Sequence, residues 1–163
     1  MDEIPTPPAD NQQIAAQVLR QFRLVFGEVR SHFLEIERRV GIGGAQLWAL
    51  SEIGRDPGLG VSELAQRMDI HPSTASNLVR QLLRKSLIVS DRSPEDRRNV
   101  LLRLTEAGTA LLRSAPGPHE GVLPAALQQL PPDTLRQLHQ HLGTLLKVLD
   151  PGTAAARMPL AEL

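Results

Sequence analysis

Apolar residues recur along the first forty positions at Ile14, Val18, Phe22, Val25, Val29, Phe33, Ile36 and Val40, always three or four apart. That spacing keeps side chains on one face of an α-helix. The pattern therefore predicts a helix over residues 10–40, about seven turns of continuous stripe, ended by Gly41-Ile42-Gly43-Gly44. Near the other end Leu135, Leu138, Leu142, Leu145 and Leu149 step by three, four, three and four, a seam of the kind used by coiled coils. Pro131-Pro132 opens that helix and Pro151-Gly152 stops it, as prolines at a helix start and beyond its end do. Residues 45–53 and 105–112 complete a helical frame, and residues 151–163, which have no strong period, form a tail.

Between these ends the period changes. Residues 61–68 set Val61, Leu64, Ala65 and Met68 on one face, in a segment too short to be stable unless it docks on the next helix. Gly60 is a tolerable N-cap, with Glu63 three residues on. Asp69 and Ile70 make a turn, His71 stands at an N-cap, and Pro72 takes the first helical position, where its fixed φ and missing N–H cost nothing. In residues 73–84, Ala75, Leu78, Val79, Leu82 and Leu83 form one face, and the other face carries no apolar residue. Two helices joined so tightly cross steeply, as in a helix-turn-helix. Leu87, Ile88 and Val89 then read as a short strand, and Val100, Leu102 and Leu104 alternate as the inner face of another, around a charged loop over residues 91–99 that contains Pro94. This order is that of a winged helix-turn-helix. The fold expected is mainly α with a small β-wing: a DNA-binding unit over residues 45–104, with its recognition helix at about 72–85 and its wing at about 87–104. A helical dimerisation region comes from both chain ends, residues 10–40 and 105–150.

At 100° per residue Ser73, Asn77, Arg80 and Arg84 align within about 40° of one another, flanked by Ser76 and Gln81. Serine and asparagine can hydrogen-bond base edges, and arginine can pair bidentately with guanine or phosphate; Thr74 would lie near the backbone. Any amphipathic surface helix has a polar face, so the neighbouring elements are what select a groove. An arginine at an exposed hairpin tip can enter a narrow minor groove, although a charge run also serves simply to solvate a loop.

The run Asp96-Arg97-Arg98, an alternating strand and then Leu104-Thr105-Glu106-Ala107-Gly108 closely resemble the wing and following helix start of the MarR family of bacterial transcriptional regulators. Ser62-Glu63-Leu64-Ala65 and Ser73-Thr74-Ala75-Ser76-Asn77-Leu78-Val79 resemble its helix-turn-helix, and the likeness extends loosely from about Ile14 to Leu149. It implies that Arg98 enters the minor groove from the wing tip, with Arg97 beside it and Asp96 pinning the guanidinium by a charge-assisted hydrogen bond. It also implies double-stranded DNA as partner, an intertwined homodimer, and a pocket for a small phenolic or aromatic carboxylate effector at the junction of the helices. Phe26, His32, Phe33 and Trp48 are the candidates there, Trp48 to stack on a ring and His32 to pair with a carboxylate. Ordinary packing accounts for each of them equally well, since a sequence does not show convergence in space. No other cofactor and no metal is expected. Two departures from the family pattern stand out. Ser86 replaces the usual glycine after the recognition helix, and Ser114-Ala115-Pro116-Gly117-Pro118 breaks a helix that is normally long. The break is placed near 115–118, with a separate helix from about 119 to 130 and Pro124 kinking it or sitting in its first turn.

Composition narrows the rest. Eighteen basic residues balance eighteen acidic ones, which is awkward for phosphate binding. From Arg80 to Arg103, however, seven basic residues stand against three acidic ones, and local sign governs steering. The chain has no cysteine, which excludes a thiol redox switch and a Cys-ligated metal. No apolar run approaches the roughly 18 residues of a membrane span, and Met1 opens no charged-then-apolar leader, so a cytoplasmic protein without a membrane partner is expected. An enzyme is not. His139 and His141, two apart, face nearly opposite ways on a helix, and Gly41-Ile42-Gly43-Gly44 lacks the Gly-Lys-Ser/Thr ending of a phosphate loop. The apolar stripes of the two chain ends can cover each other within one chain or pack on a second copy. The second is preferred, because a two-fold dimer places two recognition helices about one helical turn apart on an inverted repeat. The function expected is a homodimeric, ligand-responsive repressor, and the alternative is a helix-turn-helix that binds protein and not DNA.

Overall fold

The computed structural model describes residues 9–92, 100–151 and 156–162. In chain order these form α1 (Ala9–Val40), α2 (Gly44–Arg55), α3 (Val61–Arg67), α4 (Pro72–Arg84), β1 (Ile88–Arg92), β2 (Val100–Leu104), α5 (Glu106–Ser114), α6 (Val122–Gln128) and α7 (Pro132–Leu149), closed by a 3-10 turn at Leu160–Glu162. The fold is mainly helical with one two-stranded antiparallel sheet, a winged helix-turn-helix carried on longer helices. Among the described residues no helix is long and apolar enough to cross a membrane.

The core centres on α2. Leu47, Leu50 and Ile53 are covered by Leu64 of α3, Leu78 and Leu82 of α4 and Leu102 of β2, each at most 1% exposed. On α4 the buried set is Ala75, Leu78, Val79 and Leu82. Leu83, which the helical period assigns to the same face, is instead 36% exposed, because it lies about 90° round the helix from the centre of the other four. The sheet pairs Ile88 with Leu104 and runs outward to Arg92 opposite Val100, past Val89 where the apolar pattern stops, since ladder hydrogen bonds are made by backbone. Val100 is a second correction. It shares the inner face with Leu102 by alternation, yet it is 37% exposed, standing near the hairpin tip beyond the reach of the core. Leu102 is held from its other side as well: its N–H donates to the Leu59 carbonyl at 3.1 Å and its carbonyl accepts from Gly58 at 2.8 Å. The connection from α2 to α3 thus acts as a third strand that fixes the wing to the helices.

A clasp locks the end of α4 to the wing base and α5. Ser86 takes φ +55°, so the left-handed cap is made by serine rather than avoided. This turn presents two carbonyls. The Thr105 hydroxyl donates to Ser86 at 2.8 Å and accepts from the Gly108 N–H at 3.0 Å, while the Thr105 N–H donates to Leu87 at 3.1 Å. A β-carbon on Gly108 would lie 2.0 Å from the Leu87 carbonyl oxygen. The Thr-Glu-Ala-Gly run is thus a helix cap combined with a site of close backbone approach.

α5 stops at Ser114, two residues before Pro116, and α6 carries Pro124 in its first turn, where a missing N–H is harmless. The connection between them is tied down twice. His32 of α1 donates through Nε2 to the Pro118 carbonyl at 3.0 Å, and His119 is hydrogen-bonded to the Ser51 hydroxyl of α2 at 3.2 Å. The ends of the chain do not cover one another. Leu135, Leu142, Leu145 and Leu149 of α7 are 36–64% exposed, as are Ile14 and Val18 of α1 at 56% and 41%. The tail does not trail away either. Residues 156–162 fold back on α1 and α2, with Pro159 buried and Ala161 packed on the core.

The clasp makes two opposite predictions for unfolding monitored at fixed protein concentration. Gly108→Ala drives a methyl into backbone and lowers stability by at least about 2 kcal/mol. Ser86→Gly, which relieves a left-handed residue, raises it by about 1 kcal/mol.

Candidate nucleic-acid interface

The recognition helix begins with a compact cap. His71 Nδ1 accepts from the Ser73 N–H at 3.3 Å and from its hydroxyl at 2.7 Å, which satisfies one of the orphan donors of the first turn. Ser76 donates its hydroxyl back to the Pro72 carbonyl at 2.9 Å. Further along, Arg80 Nη1 donates to Asn77 Oδ1 at 2.7 Å. Ser73, Ser76, Asn77, Arg80 and Arg84 are exposed on one side of α4, and Thr74 is half-buried. The expected readers therefore stand together, and three of the four short polar side chains are already engaged within the helix. The consequence for chemistry is specific. Bidentate recognition of adenine uses both the oxygen and the nitrogen of an asparagine amide; with one lone pair of its oxygen engaged by Arg80, Asn77 keeps its two N–H donors and a second lone pair, and the contact orients the Arg80 guanidinium along the helix.

Around this face the backbone is rigidly carried. Gln46 of α2 donates its amide to Gln81 of α4, and Lys85, just beyond the helix, reaches the Gly41 carbonyl at 3.4 Å. Neither contact was legible as a function of spacing, since each joins elements distant in sequence. On the wing, Arg103 and Asp91 approach to 3.7 Å across the hairpin stem, both about half exposed, a pair worth little in water but well placed to keep the stem straight. Asp96, Arg97 and Arg98, to which the wing tip is assigned by sequence, lie outside the described residues.

Behind the reading unit, two clefts open between α1, α2, α6 and the returning tail. The larger, about 560 Å³, is lined by Phe26, Arg30, Phe33, Glu37, Leu123 and Leu160 among others. The smaller, about 440 Å³, has Trp48, Ile70, Glu120, Pro124 and Met158 in its walls and shares Phe33, Gly44, Leu160 and Ala161 with the first. Phe26, Phe33 and Trp48 all border one or other cleft, with Phe26 at a rim and 61% exposed. His32 lines neither, its ring being turned to Pro118, and Trp48 is hydrogen-bonded through Nε1 to Glu52 at 3.3 Å. The cation in the larger cleft is Arg30, which sequence reasoning missed. Its spacing of four from Phe26 and three to Phe33 placed it on their face of α1. Among the described residues no group of His, Asp or Glu is gathered so as to hold a metal ion.

Comparison with known proteins agrees with this arrangement. The chain is 30% identical over 96 residues to the HTH-type transcriptional repressor MdtR of Bacillus subtilis, a match covering 59% of this chain and 62% of that protein; the chain spans less than two thirds of the curated relatives it matches. The YusO protein of B. subtilis superposes with a TM-score of 0.53 at 25% identity, over 86% of this chain and 99% of YusO. The S. aureus MepR-DNA complex gives a TM-score of 0.57 at 24% identity, over 80% and 96% of the two chains. The model of the MarR family matches residues 44–100, the stretch that holds α2, the helix-turn-helix and the first wing strand, so it is this stretch that carries a MarR-family domain.

Proposed function

We propose that this protein is a sequence-specific double-stranded DNA-binding transcriptional regulator that acts as a homodimer on an inverted repeat, and that it is a repressor released by a small effector. The observation that carries the proposal is the exposed polar side of α4, with Asn77 and Arg80 paired on it, standing beside a hairpin stem anchored to the same core. Support comes from the relatives' names: MdtR is a transcriptional repressor, and MepR was solved with DNA. Arg80, Ser73, Ser76 and Asn77 read the major groove, Thr74 and Arg84 meet the phosphates, and Arg97 and Arg98 serve the wing with Asp96 in support. No enzymatic activity is proposed. The unpartnered leucine seam of α7 and the exposed start of α1 form the dimer contact. The larger cleft, beside Phe26 and Phe33, takes an aromatic carboxylate, with Arg30 as its counter-ion in place of His32, and Trp48 borders the adjoining smaller cleft. An effector bound there alters the spacing of the two heads, and release follows because only one spacing fits both half-sites.

DNA fragments selected by the purified protein supply the site, and three variants then assign the parts. Arg80→Ala weakens binding by about 1–3 kcal/mol and relaxes preference at one base step, whereas Arg84→Ala weakens all sequences alike and reduces the salt slope by about one. A protein-interaction module would show no falling log K with log salt. Introducing Leu142→Glu with Leu145→Glu places two charges in the seam; light scattering then reports a monomer, and affinity for the full repeat drops to that for a half-site. A wild-type chain that is already monomeric at micromolar concentration would remove the dimeric mechanism.

A further inference from the structure

We propose that residues 156–162 are a built-in occupant of the effector cleft and that they couple its filling to the recognition helix. This rests on reading the cleft as an effector site and α4 as the DNA reader. The two clefts have one partition in common, Leu160 and Ala161, which line both. On the α1 and α2 side Phe33 and Gly44 also line both clefts, so the tail closes the one remaining passage between Phe26 on α1 and Trp48 on α2. The tail is fitted into it at a point of close approach. A β-carbon on Gly44 would lie 2.2 Å from the Phe33 ring and 3.3 Å from Ala161, so α1, α2 and the tail meet where only glycine leaves room.

The same segment reaches the reading head. The Arg157 carbonyl accepts from the His71 N–H at 3.1 Å, and His71 is the residue whose side chain caps α4. Only Met158 and Pro159 therefore separate a contact with the turn of the helix-turn-helix from the Leu160–Ala161 partition. The grip is of a kind that exchanges. It consists of one backbone hydrogen bond, the buried Pro159 and the half-buried Ala161, while Met158 and Leu160 remain 41% and 37% exposed. A planar apolar acid entering beside Phe33 competes with Leu160 and Ala161 for the same walls, and displacing them withdraws Arg157 from His71. The turn between α3 and α4 then loses its tie to the helical frame, which lowers DNA affinity.

The test uses the full-length protein with Ala161→Arg, and with Leu160→Asp as a milder variant at a side chain already partly in water. Trp48, the only tryptophan, reports the cleft through acrylamide quenching, and amide hydrogen exchange reports the His71 N–H. The expected result is quenching increased about twofold and His71 exchange accelerated about tenfold, with the amides of Leu78 and Leu82 still protected. Titrating the wild type with 8-anilinonaphthalene-1-sulfonate is expected to accelerate His71 exchange in the same way, and both variants are expected to bind the selected DNA at least about fivefold more weakly. Wild-type quenching and exchange in both variants would overturn the docked tail. Changed quenching and exchange with unchanged DNA affinity would overturn the coupling. If the wild-type chain binds no DNA at all, the regulator reading fails by itself, while the Trp48 and His71 responses still decide the tail.

Discussion

The carbonyl oxygen of Leu87 occupies the place where any side chain on Gly108 would begin, and the geometry of the reading head follows from that contact. Because α5 can press its first turn onto the strand entry, Thr105 is brought within reach of Ser86, and its hydroxyl closes the ring from the end of α4 to the start of α5. The recognition helix is thereby fixed at its C-terminal end by the wing base. At its N-terminal end it is fixed by the His71 cap and the tail. A helix that inserts into a groove must hold its direction against the groove walls, and one clamped at both ends does so without needing more core behind it. Leu102 completes the frame, because both of its backbone groups bind the α2–α3 connection, so helix and hairpin move together.

The head is finished by its own chain and the frame is not. Residues of α2, α3, α4 and β2 bury one another almost completely, whereas α7 leaves leucines uncovered along its length and the first turns of α1 do the same. Apolar surface of that extent on two long helices is of the kind that marks an interaction surface, and in the proposed homodimer the α7 seam, with its steps of three and four, is self-complementary about a two-fold axis. Charge is divided within the head itself: residues 80–103 carry seven basic residues against three acidic ones, while residues 44–79 carry Glu52, Asp56, Glu63 and Asp69 against Arg55 and Arg67, so the positive charge gathers on the stretch from α4 to the wing.

How much of this was legible in the sequence depends on the range of the interaction that decided each part. The helices, the cap at His71-Pro72 and the break after Ser114 are set by neighbours a few residues apart, and they could be read directly. The polar side of α4 was legible for the same reason. The pairing of Asn77 with Arg80 was implicit in a spacing of three, though nothing in the spacing said which groove-facing atoms it would occupy. Leu83 and Val100 were misplaced because periodicity records direction and not depth: one lies at the edge of a face, the other past the end of the core. The turn of His32 to Pro118 and the return of the tail to Gly44 and His71 join parts of the chain far apart in sequence. They depend on how the helices cross, which no local pattern carries.

The break at Pro116-Gly117-Pro118 shows how one local choice reorganises a distant site. An unbroken helix after the wing would have led directly away from the head. Here the chain leaves α5 after nine residues, is pinned to α1 by His32 and to α2 by His119, and turns back so that α6 lies along α1. Leu123, Pro124 and Leu127 then furnish one wall of the clefts, and the tail returning from α7 furnishes the partition. Two histidines bonded to a loop carbonyl and to a buried serine hold a connection that has few apolar contacts of its own, so the wall position is governed by polar ties rather than by packing. A cleft built this way can widen without disturbing the core around Leu50, because the elements that must move, the connection, α6 and the tail, bury only Gly121 and Pro159 among the described residues. The rigid head and the adjustable cleft are thus consequences of one division, between residues that fill the core and residues that hydrogen-bond across its edge.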